Sequence, residues 1–138
     1  MLAQSEWKHD NVFEGRAENG NTITFDADAA HTHGPSPMEA VLMALCSCTS
    51  VDVVSILQKK RQPLTGLRVS AVATQAESAP RVFTAIKLTY AVSGRLSRKA
   101  VEDAVSLSKH KYCSVSLMLE KAATVDYEIV YLDGEPEP

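Results

Sequence analysis

The chain has 138 residues, 45% of them hydrophobic, and a formal net charge of −3. A chain of that length reads as a single domain over residues 1–138, large enough to bury a real core. The mild acidity, with no Lys/Arg cluster that suggests them, argues against nucleic acid and anionic membrane surfaces as partners.

The opening residues, Met1-Leu2-Ala3-Gln4-Ser5-Glu6, lack the basic start and apolar core of a signal peptide, so a cytoplasmic location is expected. Residues 3–26 read as β structure. Trp7, Val12 and Phe13 lead into Glu18-Asn19-Gly20-Asn21, a hairpin turn, and Thr22-Ile23-Thr24-Phe25 follows with Ile23 and Phe25 on one face. Asp26 to Gly34 is a polar loop carrying His31-Thr32-His33.

Ser36-Pro37-Met38-Glu39 then opens a helix. Ser36 and Glu39 have capping-box spacing, and Pro37 takes the first helical position, where its missing N–H costs nothing. The helix is expected over Pro37 to Lys60, about 36 Å long at roughly 1.5 Å per residue. Asp52 is the only charge between Glu39 and Lys59. Small or apolar side chains on nearly every face predict a helix buried all round. Asp52, Ser47, Thr49, Ser50 and Ser55 interrupt the apolar run and argue against a membrane span.

Gln62-Pro63 stops the helix, and Gly66 turns the chain. Leu67, Val69, Ala71 and Ala73 alternate with polar residues, and after the Glu77–Pro80 turn a second alternation runs from Val82 to Val92, predicting an antiparallel hairpin. Ser97 caps a second helix through about Lys109, with Val101, Ala104, Val105 and Ser108 along one stripe. Tyr112-Cys113-Ser114 leads to a short apolar helix over 115–122, and Val125, Tyr127, Ile129 and Tyr131 mark a last strand. Gly134 to Pro138 is an acidic tail expected to fray. The sum is an α+β domain with antiparallel sheet.

The three cysteines, an odd number, do not suggest a structural disulfide framework. Cys113 falls at the start of a helix, where free N–H groups and the helix dipole favour a thiolate, with His110 and Lys111 nearby. Cys48 is mid-helix, and Asp52 four residues on puts a negative charge on its face. Free cysteine usually packs as a small hydrophobe, and Cys46 reads that way. His31 and His33 carry ligand nitrogens, but no third ligand is indicated and a solvated loop is the expectation, with no metal site. Glu39 is first a capping residue, and Arg16 in Gly15-Arg16-Ala17 is a turn-flanking cation.

Ser36-Pro37-Met38-Glu39, Cys48-Thr49-Ser50-Val51-Asp52-Val53-Val54 on the same helix, and Tyr112-Cys113-Ser114-Val115-Ser116 together resemble the OsmC/Ohr family. The Cys-Thr-x-x-Asp-Val variant looks like its YhfA-type OsmC-like branch of predicted redox proteins. The resemblance covers nearly the whole chain. It implies an OsmC-like α+β fold with a long central buried helix, in an intertwined homodimer with a site at each subunit interface. It also implies a thiol peroxidase acting on organic hydroperoxides. Cys48 would become a sulfenic acid, Cys113 would resolve it as a disulfide, and an external dithiol would reduce both, with no bound cofactor.

The chain departs from that family at the activating pair. The hydroperoxide reductases place a Glu directly after the proline and pair it with an Arg. Here Met38 holds that position, the glutamate is Glu39, and Arg16 is the nearest arginine before the helix. A shift of one residue turns a helical side chain by about 100°. Two rival readings stand beside the enzyme: a non-enzymatic protein binding a small apolar ligand at the dimer interface, and a structural dimer with inert cysteines.

Overall fold

Turn chemistry sets the first sheet. A computed structural model describes residues 1–138. In it the Asn19–Gly20 turn joins strand β2 (Val12–Ala17) to strand β3 (Thr22–Asp26), with Gly20 at φ +91°, where L side chains are rare. Strand β1 (Ala3–His9) pairs antiparallel with β2 in the register Trp7↔Phe13, and β2 pairs antiparallel with β3 through Phe13↔Phe25. The long helix α1 spans Pro37–Lys59. The chain separates into two compact units, Met1–Met43 and Ala44–Pro138, and the boundary falls inside α1.

In the first unit the β1-β2-β3 sheet is followed by a loop organised by Asp26, which is buried. Its carboxylate accepts from the Asp28 N–H at 2.9 Å, the His33 N–H at 3.1 Å and the His33 ring at 3.0 Å. Those bonds, the Asp28 N–H first, hold the Asp26 carboxyl below the usual carboxylate range. Gly34 passes so close to the Thr24 carbonyl that a Cβ would collide with it, so only glycine fits there. The capping box forms as expected. The Ser36 N–H donates to Glu39 Oε1 at 2.9 Å, and the Glu39 N–H donates to Ser36 Oγ at 3.1 Å.

In the second unit, strands β4 (Leu64–Gln75) and β5 (Phe83–Gly94) form the expected antiparallel hairpin, with Val69 opposite Tyr90. Gly66, expected in a turn, lies within β4 at an irregularity of register. Strand β6 (Thr124–Tyr131) adds to the other edge of β5, and here the antiparallel expectation is corrected: β5 and β6 run parallel. The connection between them is a helical crossover that carries the chain back before β6 starts, as a parallel pair requires. Alternation along a strand encodes which face is buried, not which way its neighbour runs.

Ile86, Leu88, Tyr90 and Val92 of β5 are buried, together with Ala100, Val101, Ala104 and Val105 of helix α2 (Arg98–Leu107). From α1 only Leu45, Thr49, Val53 and Leu57 are buried, one stripe at a spacing of four residues. That corrects the expectation of burial on all faces. A single chain offers packing to one side of α1, and Val51 stands 69% exposed on another. The tail is corrected as well. The Glu137 N–H donates to the Leu96 carbonyl at 3.0 Å, and Ser97 Oγ–H donates to the Pro138 carbonyl at 3.0 Å, so the last residues are held rather than frayed.

Candidate functional site

The second helix ends before the expected Lys109. After Leu107 the backbone widens into a π turn over Ser108–Tyr112, closed by the Cys113 N–H donating to the Ser108 carbonyl at 2.8 Å. The wider turn inserts a residue relative to an α-helix, a feature common at functional sites. Cys113 is then the N-cap of helix α3 (Ser114–Leu119), and its Sγ accepts from the Ser116 N–H at 3.4 Å. It is fully buried.

The thiol chemistry differs from the expectation drawn from its place at a helix start. Burial pushes the Cys113 thiol up, the Ser116 N–H pulls it down by less, and the neighbouring Cys48 thiol and Asp52 carboxylate raise it further. Desolvation outweighs the cap because an unpaired thiolate in an apolar interior has lost its water. His110 and Lys111 are engaged elsewhere. The His110 ring bonds to the Ser106 carbonyl at 3.0 Å, and the Lys111 ammonium lies over the Tyr112 ring at 5.3 Å.

The fold therefore makes Cys48 and Cys113, far apart in sequence, neighbours in space, and both are free thiols. Cys46 is a free, half-buried thiol that burial also pushes up. The other candidates have local partners. Glu39 is held in the capping box and lies 3.7 Å from the His31 ring. Arg16 pairs with Glu14 at 2.8 Å along β2. His33 is bound to Asp26, the His31 ring bonds to the Asp26 carbonyl at 2.9 Å, and no group of three or more His, Cys, Asp or Glu side chains is arranged to hold a metal.

Sequence reasoning missed a buried chain of hydroxyls behind the thiols. Tyr90 Oη lies 2.7 Å from Thr49 Oγ1, Thr49 Oγ1 lies 2.7 Å from Ser108 Oγ, and Ser108 Oγ–H donates to Asp52 Oδ2 at 2.8 Å. The carboxylate fixes every direction. Ser108 commits its one proton to Asp52, so Thr49 must donate to Ser108, and Tyr90 must donate to Thr49. Burial pushes the Tyr90 hydroxyl up to about 12, and the charges of Cys113 and Cys46 reinforce the rise. The signal available in the sequence was polar residues at core positions: Thr49 inside the apolar run, Ser108 on the helix stripe and Tyr90 on the buried face of a strand.

A long helix bearing one cysteine, a capped short helix bearing another, and two separate three-stranded sheets are the elements of a known class. The family model for OsmC-like proteins matches residues 29–128, and the chain belongs to that family. It is 46% identical over 133 residues to Protein YhfA of Escherichia coli (strain K12), spanning 94% of this chain and 98% of that protein. A hypothetical protein from Aquifex aeolicus VF5 superposes with a TM-score of 0.81 at 30% identity, over 94% of this chain and 96% of that one. The OsmC like protein from Mycoplasma pneumoniae does so with a TM-score of 0.82 at 16% identity, over 94% and 95%, a likeness of fold.

Proposed function

We propose that the protein is a thiol redox enzyme that reduces organic hydroperoxides through Cys48 and Cys113. The observation that carries this reading is the juxtaposition of the two free thiols, one on α1 and one capping α3. In the proposed reaction the Cys48 thiolate attacks the terminal peroxide oxygen. An S–O bond forms, the O–O bond breaks, and the alkoxide takes a proton and leaves as the alcohol. Cys113 then attacks the Cys48 sulfur, the S–S bond forms, and hydroxide departs as water with the Cys113 proton. A dithiol of the reductant returns both cysteines to thiols by exchange. We assign no step to Glu39 or Arg16, because each already has a local partner.

An organic substrate suits the surroundings of the π turn. A concavity lined by Val51, Ile56, Leu107 and Tyr112, together with the polar Asp52, Ser55, Lys59 and Lys60, offers apolar surface that hydrogen peroxide cannot use. The same hollow favours the second reading, a binder of a small apolar ligand whose thiols do not turn over.

A second copy of the chain is the proposed partner. Helix α1 is long and apolar enough to cross a membrane by length and composition. Its buried stripe and its exposed Val51 instead suit a core helix covered from the other side by a second copy. The family resemblance points the same way, and the free thiols suit a reducing cytoplasm.

The test is peroxide consumption with a dithiol reductant, comparing cumene hydroperoxide with hydrogen peroxide. Turnover should favour the organic peroxide and vanish in Cys48→Ser. A folded parent protein that consumes neither peroxide would leave the binding reading.

A further inference from the structure

Ser108 is the residue through which the π turn is tied to α1. Its carbonyl accepts the Cys113 N–H at 2.8 Å, and its hydroxyl bonds to Thr49 at 2.7 Å and Asp52 at 2.8 Å, both on α1. The hydroxyl also makes a longer approach, 3.4 Å, to the Thr49 carbonyl. Thr49 is next in sequence to Cys48, and Ser108 is one π-helical hydrogen bond from Cys113. Thr49 and Ser108 are wholly buried, so water cannot replace a lost bond cheaply. Tyr90, also buried on β5, closes the far end of the chain by donating to Thr49.

From this we infer that Thr49 and Ser108 are positioning residues for the thiol pair: their hydroxyls lock the π turn onto α1 and so hold Cys113 within bonding reach of Cys48. The inference rests on the proposed Cys48–Cys113 chemistry and adds to it the device that sets its geometry. Neither hydroxyl touches the reacting sulfurs in this role. A disulfide demands Cα atoms about 4.4–6.8 Å apart, and a π turn swinging free of α1 would leave that window for much of the time. Loss of the hydroxyls should therefore slow ring closure while sparing the first oxidation at Cys48.

The experiment uses the full-length, fully reduced chain. One equivalent of cumene hydroperoxide is added, samples are quenched with dimedone or an alkylating agent, and mass spectrometry follows the Cys48 adduct and the Cys48–Cys113 disulfide. Thr49→Val removes the hydroxyl at nearly constant shape, Thr49→Ser keeps it, and Ser108→Ala removes the other. Diamide, an azo oxidant that takes two electrons and two protons to become a hydrazine, closes the same disulfide without any sulfenic acid. Far-UV circular dichroism checks folding.

In Thr49→Val and Ser108→Ala, ring closure with either oxidant should slow by roughly tenfold or more, as small misplacements of reacting groups do, while Thr49→Ser closes near the parent rate. The dimedone adduct should accumulate at Cys48 in the slow variants. Parent-like closure in either folded variant, or a Thr49→Ser as slow as Thr49→Val, overturns the inference. If one variant does not fold, the other decides. A parent that closes with diamide but gives neither the Cys48 adduct nor the disulfide with peroxide sinks the hydroperoxide reading and leaves the positioning role to be judged by the diamide arm.

Discussion

Removing one atom at the head of the buried chain tests its direction and its energetics together. Tyr90→Phe deletes the donor to Thr49 Oγ1 and keeps the ring, which packs edge-on to Tyr127 at 6.0 Å. At pH 8 the variant should be less stable by about 1–3 kcal/mol, the usual result of leaving a buried polar group without its partner. The gap should then change with pH. In the parent chain the Tyr90 hydroxyl is raised from 10.0 to about 12, chiefly by burial. A group whose folded value lies above its unfolded value contributes stability that is present below the unfolded value and lost as pH rises toward the folded one. The parent therefore gives up roughly 1–2 kcal/mol of that contribution by pH 11, and Phe has no such contribution to lose. Urea unfolding of both chains at one protein concentration, in reducing buffer at pH 8, 10 and 11, measures the difference, and the thiol titrations common to both cancel. A stability gap that stays constant or widens from pH 8 to 11 refutes the reasoning.

Ring closure from the Cys48 sulfenic acid should accelerate by about one decade per pH unit between pH 7 and 9, since burial first, and Asp52 after it, hold the Cys113 thiol above its ordinary 9.0. Rapid-quench mass spectrometry follows that rate, and a plateau below pH 8 contradicts the burial argument. Val51→Lys places a charge on the exposed face of α1; light scattering should show a dimeric parent and a monomeric variant, with stability of the single-chain core changed by no more than about 0.5 kcal/mol. A parent that is monomeric at micromolar concentration removes the second copy as the partner.

Local rules made much of this protein legible. The Asn19–Gly20 turn, the Ser36–Glu39 capping box and the period-two runs of β4 and β5 are decided by a few adjacent residues, and each appears as expected. The capped start and length of α1 outweighed the β-branched tail Val51, Val53, Val54 and Ile56, because a helix already propagating adds a bond per residue. What failed was what depends on partners: the direction of β6, the faces of α1 left uncovered, and the titration of Cys113.

The cysteines show the division most clearly. That one thiol rides mid-helix on α1 and another caps a short helix follows from adjacent residues alone, for spacing and capping are local properties. Packing in three dimensions is what makes these thiols neighbours, lets burial rather than the cap govern Cys113, and joins Tyr90, Thr49, Ser108 and Asp52 into one chain. Desolvation and hydrogen bonding across elements depend on what lies within a few ångströms in space, and no spacing along the chain specifies that.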